Sequence, residues 1–102
     1  MLKQEDKNHS WTFLSNYAHV LVTLARDPTA RLRDIAAQVG ITERATQRIV
    51  SQLETAGVLT KEREGRRNRY AIIDGHPLHH PLESHKTVGS LLAMINEGRR
   101  TD

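Results

Sequence analysis

The chain has 102 residues, of which 37% are hydrophobic and 26% charged, with a formal net charge of +3 and pI ≈ 9.7. That length allows one hydrophobic core and excludes two, and the balance is that of a globular chain rather than a disordered one. The absence of cysteine excludes disulfides and thiolate metal sites, and no apolar run is long enough to span a bilayer. The mild basic excess suits a polyanionic partner without demanding one. The start "MLKQEDKNHS" has no apolar stretch of the signal-peptide kind, so a cytoplasmic protein is expected.

Residues 1–9 are polar and expected to form a disordered tail. From Ser10, read as an N-cap, "SWTFLSNYAHVLVTLARDP" predicts a helix that stops at Asp27-Pro28. It carries two apolar stripes, Leu14, Ala18, Leu21, Ala25 and Phe13, Tyr17, Val20, Leu24. A surface helix needs only one, so the second asks for a partner, most simply another copy of the chain. "RLRDIAAQVG" predicts a short helix with Leu32, Ile35, Ala36 and Val39 inward and Gly40 after its end. "ITERATQRIVSQLETAGV" predicts another, capped by Thr42, buried along Ala45, Ile49, Val50, Leu53 and Ala56, and closed by Gly57.

"VLTKERE" and "NRYAII" then read as two strands of a hairpin joined by "GRRN", with Tyr70 and Ile72 inward and Arg69 and Ala71 outward. Residues 76–102 begin with the His- and Pro-rich "HPLHHPLESH", and a last helix is expected from about Pro81 towards Gly98. His85, Val88, Leu92 and Ile95 are spaced as a seam that again asks for a partner. The expected dimer interface is therefore Trp11, Tyr17, Val88, Leu91, Leu92 and Ile95.

Two helices joined by a short glycine-containing turn form a helix-turn-helix, and a hairpin directly after the second makes it winged. "LRDIAAQVGITERATQRIVSQLETAGVLT" followed by "GRRNRY" resembles the winged helix-turn-helix of prokaryotic transcriptional regulators, broadly the MarR-like and ArsR-like groups. The resemblance covers about Thr29 to Ile73, and the tail "HPLHHPLESHKTVGSLL" is similar to the ending of a small subset of such regulators. It departs at Thr46, where these motifs usually place Val or Ile. The fold expected is mainly α with a small β-wing: a DNA-binding domain over residues 10–75, with extra N- and C-terminal helices serving dimerisation. The resemblance also implies a homodimer whose second motif helix enters the major groove of double-stranded DNA.

On that helix Thr42, Arg44, Gln47 and Arg48 lie off the core stripe, where arginine suits guanine and glutamine suits adenine. Arg48 has a competing role as an ion-pair partner of Glu43 or Glu54. In the wing, Arg63, Arg66, Arg67, Asn68 and Arg69 are the candidates, with Arg66, Arg67 and Arg69 suited to phosphate or a narrow minor groove. An arginine-rich turn in isolation is usually a solvated loop; its position after a helix-turn-helix favours DNA. The weakest candidate set is a metal site at His79, His80 and His85, whose spacing fits no ligand pattern and which lacks thiolates. No cofactor is expected, the sequence does not say whether a small-molecule effector binds, and no spacing of Ser, His and Asp suggests an enzyme. The rivals are a metal- or pH-responsive regulator of the same fold and a winged helix that binds protein instead of DNA.

Overall fold

The computed structural model describes residues 11–98, so the expected 1–9 tail and the Ser10 cap lie outside them. Helix α1 spans Asn16–Arg26 and is capped by Ser15, whose hydroxyl accepts from the Ala18 N–H at 3.5 Å. The helix therefore starts a turn and a half later than the sequence suggests, and Trp11 and Phe13 precede it. Asp27 closes it, donating its N–H to the Thr23 carbonyl, and Pro28 prevents its continuation.

Helix α2 (Leu32–Val39) buries Ile35 and Ala36 and ends at Gly40, which takes the left-handed conformation at φ +87°. Gly40 and Ile41 both donate to the Ala36 carbonyl, a helix stop that a side chain bearing Cβ would strain. Three residues later α3 (Glu43–Thr55) begins, its N-cap Thr42 accepting from the Ala45 N–H at 3.0 Å. α3 buries Thr46, Ile49, Val50 and Leu53. Ala56, expected inside, is the exposed C-cap.

Thr46 is fully buried, and its hydroxyl donates to the Thr42 carbonyl at 2.9 Å. That bond satisfies the one polar atom which sets it apart from the Val or Ile usual there, so the departure costs the core little.

The wing is an antiparallel pair, β1 (Leu59–Glu64) and β2 (Arg67–Ile72), in register from Leu59 opposite Ile72 to Glu64 opposite Arg67. The connection is the two residues Gly65-Arg66, shorter than the expected "GRRN", with Gly65 at φ +61°. Two-residue hairpin loops need positive φ at their first central position, which glycine supplies freely. Tyr70 is buried and Ile72 half-buried, while Arg69 and Ala71 face out, as period two requires. The outer edge of β2 leans on the segment after α1: the Tyr70 N–H donates to the Pro28 carbonyl at 2.9 Å.

Residues 76–87 form a closed loop rather than the start of a helix. Pro77 bridges to Thr87, the Leu78 N–H donates to the Lys86 carbonyl, and Val88 donates to His76. Pro81–His85 is a turn within it. Helix α4 (Val88–Asn96) starts only at its cap Thr87, in a capping box with Ser90. His85 therefore lies off the helix and the expected four-residue seam loses its first member.

The core joins α1 to every other helix and to β2. Val20, Leu21 and Leu24 are buried from both expected stripes of α1. Of the second stripe, Val20 and Leu24 are covered within the same chain, whereas Phe13 and Tyr17 at its start are exposed. Val88 and Leu92 are only 4% and 5% exposed, seated in this same core. They correct the expected interface, because a side chain spent on its own protomer is not free to face another. Of that set Trp11 and Tyr17 are exposed, and Leu91 and Ile95 are half-buried. Arg26 Nε donates to Asn96 Oδ1 at 3.1 Å, fastening the ends of α1 and α4 together. Among the described residues no helix is long and apolar enough to cross a membrane.

Candidate nucleic-acid interface

The face of α3 opposite its buried stripe carries Arg44, Gln47, Arg48 and Ser51, all exposed, with Thr42 at its N-terminal end. These positions follow one another by three and four residues, so the helix presents them as one ridge. Ser51 is an addition to the sequence candidates; its place four residues after Gln47 is the signal that could have found it. Gln47 Nε2 donates to Ser51 Oγ at 3.2 Å, which holds the amide along the ridge.

Arg48 pairs with neither Glu43 nor Glu54 among the described residues: Glu54 is taken by Lys61 at 3.7 Å. Arg44 likewise has no carboxylate within ion-pair reach among them. The exposed ridge of α3 thus carries two guanidinium groups that no carboxylate among the described residues neutralises.

The wing arginines divide in two. Arg69 lies 3.8 Å from Glu64 on the same face of the hairpin, an exposed pair that contributes little to stability but lowers the local positive charge. Arg67 Nη1 donates to the Thr29 carbonyl at 3.3 Å, clamping the wing's outer strand to the loop between α1 and α2. That partner is 38 residues away and leaves no mark in the local sequence. Arg66 stands at the tip of the turn and Arg63 on the opposite strand, both exposed and without a carboxylate partner among the described residues. Asn68, across from Arg63, is half-buried. Five basic and two acidic side chains on the hairpin give it a positive balance concentrated towards its tip.

The histidines are placed apart in chemistry. The half-buried ring of His76 sits with Nδ1 2.9 Å from the Pro77 carbonyl and Nε2 3.2 Å from that of Ala56. His80 Nδ1 accepts from the Leu82 N–H at 3.0 Å, which removes that nitrogen from ligation, and His85 is exposed in the turn. Among the described residues no three His, Cys, Asp or Glu are grouped as metal ligands.

A three-helix unit with a short α2–α3 turn, an exposed polar ridge on α3 and a basic hairpin after it defines a winged helix-turn-helix protein. Residues 19–60 match the family model for winged helix-turn-helix DNA-binding domains. Three solved structures are similar. PcaV, a transcriptional regulator from Streptomyces coelicolor solved with its natural ligand, is 27% identical, with TM-score 0.50 over 86% of this chain and 60% of its own. ZitR from Lactococcus lactis in complex with DNA is 15% identical, with TM-score 0.51 over 71% of this chain and 51% of its own. A second structure of ZitR, described as a zinc-responsive MarR family member, is 17% identical with TM-score 0.49 over the same shares. No curated protein matches the chain. The chain thus has a winged helix-turn-helix fold and spans about half to three fifths of the length of the solved structures it matches.

Proposed function

We propose that the chain is a sequence-specific, DNA-binding transcriptional regulator that works as a homodimer. The observation that carries the reading is the set of exposed guanidinium groups with no carboxylate partner among the described residues, Arg44 and Arg48 on α3 with Arg63 and Arg66 on the wing. A fold neighbour solved with DNA supports it. In this reading α3 enters the major groove, where Arg44 faces a guanine and Gln47 an adenine after leaving Ser51. The wing tip lies on the flanking backbone, with Arg66 and Arg63 bonded to phosphate. The helix N-terminus at Thr42 adds its partial positive charge against the same backbone.

A two-fold dimer sets its two recognition helices about one turn of DNA apart, ~34–36 Å, and so reads an inverted repeat. The test is selection of bound fragments from a randomised pool, followed by titration at several salt concentrations. An enriched inverted repeat, with affinity falling steeply as salt rises, is expected. A pool that stays random, with no salt-dependent binding, would refute the reading and leave the protein-binding winged helix in its place.

A further inference from the structure

A groove of about 670 Å³ opens between the start of α1, the end of α3, the 76–87 loop and the start of α4. Ala18, Leu21 and Leu53 form its floor, and Leu78 and Leu91 stand in its walls. On its rim is Phe13, 91% exposed. Trp11, 65% exposed, packs edge-on against Phe13 with ring centroids 4.9 Å apart. The two rings belong to no helix or strand, and little of them is used by the protomer's own core.

We propose that this groove receives the Trp11–Phe13 pair of a second copy of the chain, so that two protomers exchange aromatic arms across a two-fold axis. The inference rests on the homodimer reading above and names the surface that makes the dimer. A two-fold interface brings the same patch of each copy together, so a self-complementary patch must hold both a projection and a hollow. Here they are side by side, the projection on the rim of the hollow. The chemistry matches as well, because both are apolar and an exposed Trp beside an open groove is the kind of anchor that dominates interfaces.

The area reaches the lower limit of what a stable dimer buries. An aromatic side chain hides ~150–250 Å² when buried, so the exposed parts of four rings supply roughly 500–800 Å². The groove walls they cover supply less than that, which brings the total close to ~1,200 Å², the lower limit of stable interfaces. Function is compatible too, since Thr42, Arg44, Gln47, Arg48 and the wing lie outside the groove. Pairing there leaves the DNA-facing ridge uncovered.

The experiment is sedimentation of the full chain and of the double variant Trp11→Ala/Phe13→Ala, with thermal melting of both at low concentration. The wild type should be a dimer, and the variant's dissociation constant should rise roughly a hundredfold or more, as for removal of interface anchors. The dilute melting temperature should barely move, because the rings are outside the core. A second measurement uses the lack of native cysteine. Phe13→Cys mixed with Ala56→Cys, a groove residue, should give a disulfide between chains that neither variant forms alone. A wild-type dimer that the double variant leaves intact, with no mixed cross-link, overturns the exchange while sparing the homodimer and moves the seam to Met94 and Ile95. A wild type monomeric with and without DNA overturns both readings. A monomer whose groove takes up an apolar dye would mean that a small ligand occupies it.

Discussion

Arg66 and Arg67 are neighbours in sequence with different tasks. Arg67 is spent on the Thr29 carbonyl, whereas Arg66 and Arg63 project from the wing without a carboxylate partner among the described residues. Replacing Arg63 and Arg66 together by Ala should weaken preferred and random DNA by similar factors. It should also flatten the salt dependence by ~0.9 in log–log slope for each phosphate that is no longer neutralised, measured by titration across salt concentrations. Arg44→Ala should behave differently, costing ~1–3 kcal/mol on the preferred site and much less on random DNA. Site selection with that variant should erase one base position from the motif. The exposure of Arg69 and burial of Tyr70 were legible in the sequence because alternation along a strand is a local rule. The holding of Arg67 and the pairing of Arg69 with Glu64 were not, because they depend on where a distant loop and an opposing strand come to rest.

The elements themselves were legible where a cap and a period agreed. Gly40, Thr42 and the buried run of α3 coincide, so α2, α3 and the turn between them stand where the sequence puts them. The ends failed where two caps competed. Ser10 and Ser15 both precede apolar residues, and Phe13 and Leu14 continue the stripe of α1 backwards although the backbone there is not helical. Pro81 suits a first helical position, but the Pro77–Thr87 bridge closes the chain into a loop before a helix can begin. The cap of α4 is Thr87 with Ser90, which lacks the Glu or Gln of the familiar sequence signature. Thr87→Ala should therefore cost ~1 kcal/mol, within the ~0.5–2 kcal/mol typical of N-cap removal, read as a lower urea midpoint at unchanged slope. An unchanged midpoint would mean that packing of Val88 and Leu92 alone fixes the start of α4.

For the molecule as a whole, the path from wing to groove is short. β2 ends at Ile72, Asp74 follows, and the Gly89 N–H in the first turn of α4 donates to the Asp74 carbonyl at 2.9 Å. A Cβ on Gly89 would sit 2.8 Å from Asp74 Cβ and 3.0 Å from that carbonyl, so the two segments touch with no slack between them. Two residues on, Leu91 lines the groove. A displacement of the wing that reached Asp74 would press on α4, because these two segments are in direct contact. Thermodynamic linkage makes the effect reciprocal: whatever DNA does to the groove, filling the groove does to DNA affinity. Short DNA carrying one half-site isolates this from simple bridging of two protomers. Saturating half-site should shift the protomer dissociation constant by ~5-fold or more, the lower end of ordinary coupling, as read by sedimentation. Gly89→Ala, which forces the two segments apart, should abolish the shift while the wing arginines keep their salt slope. The glycine would then be the fulcrum, a residue that touches neither DNA nor partner yet determines whether each is felt by the other.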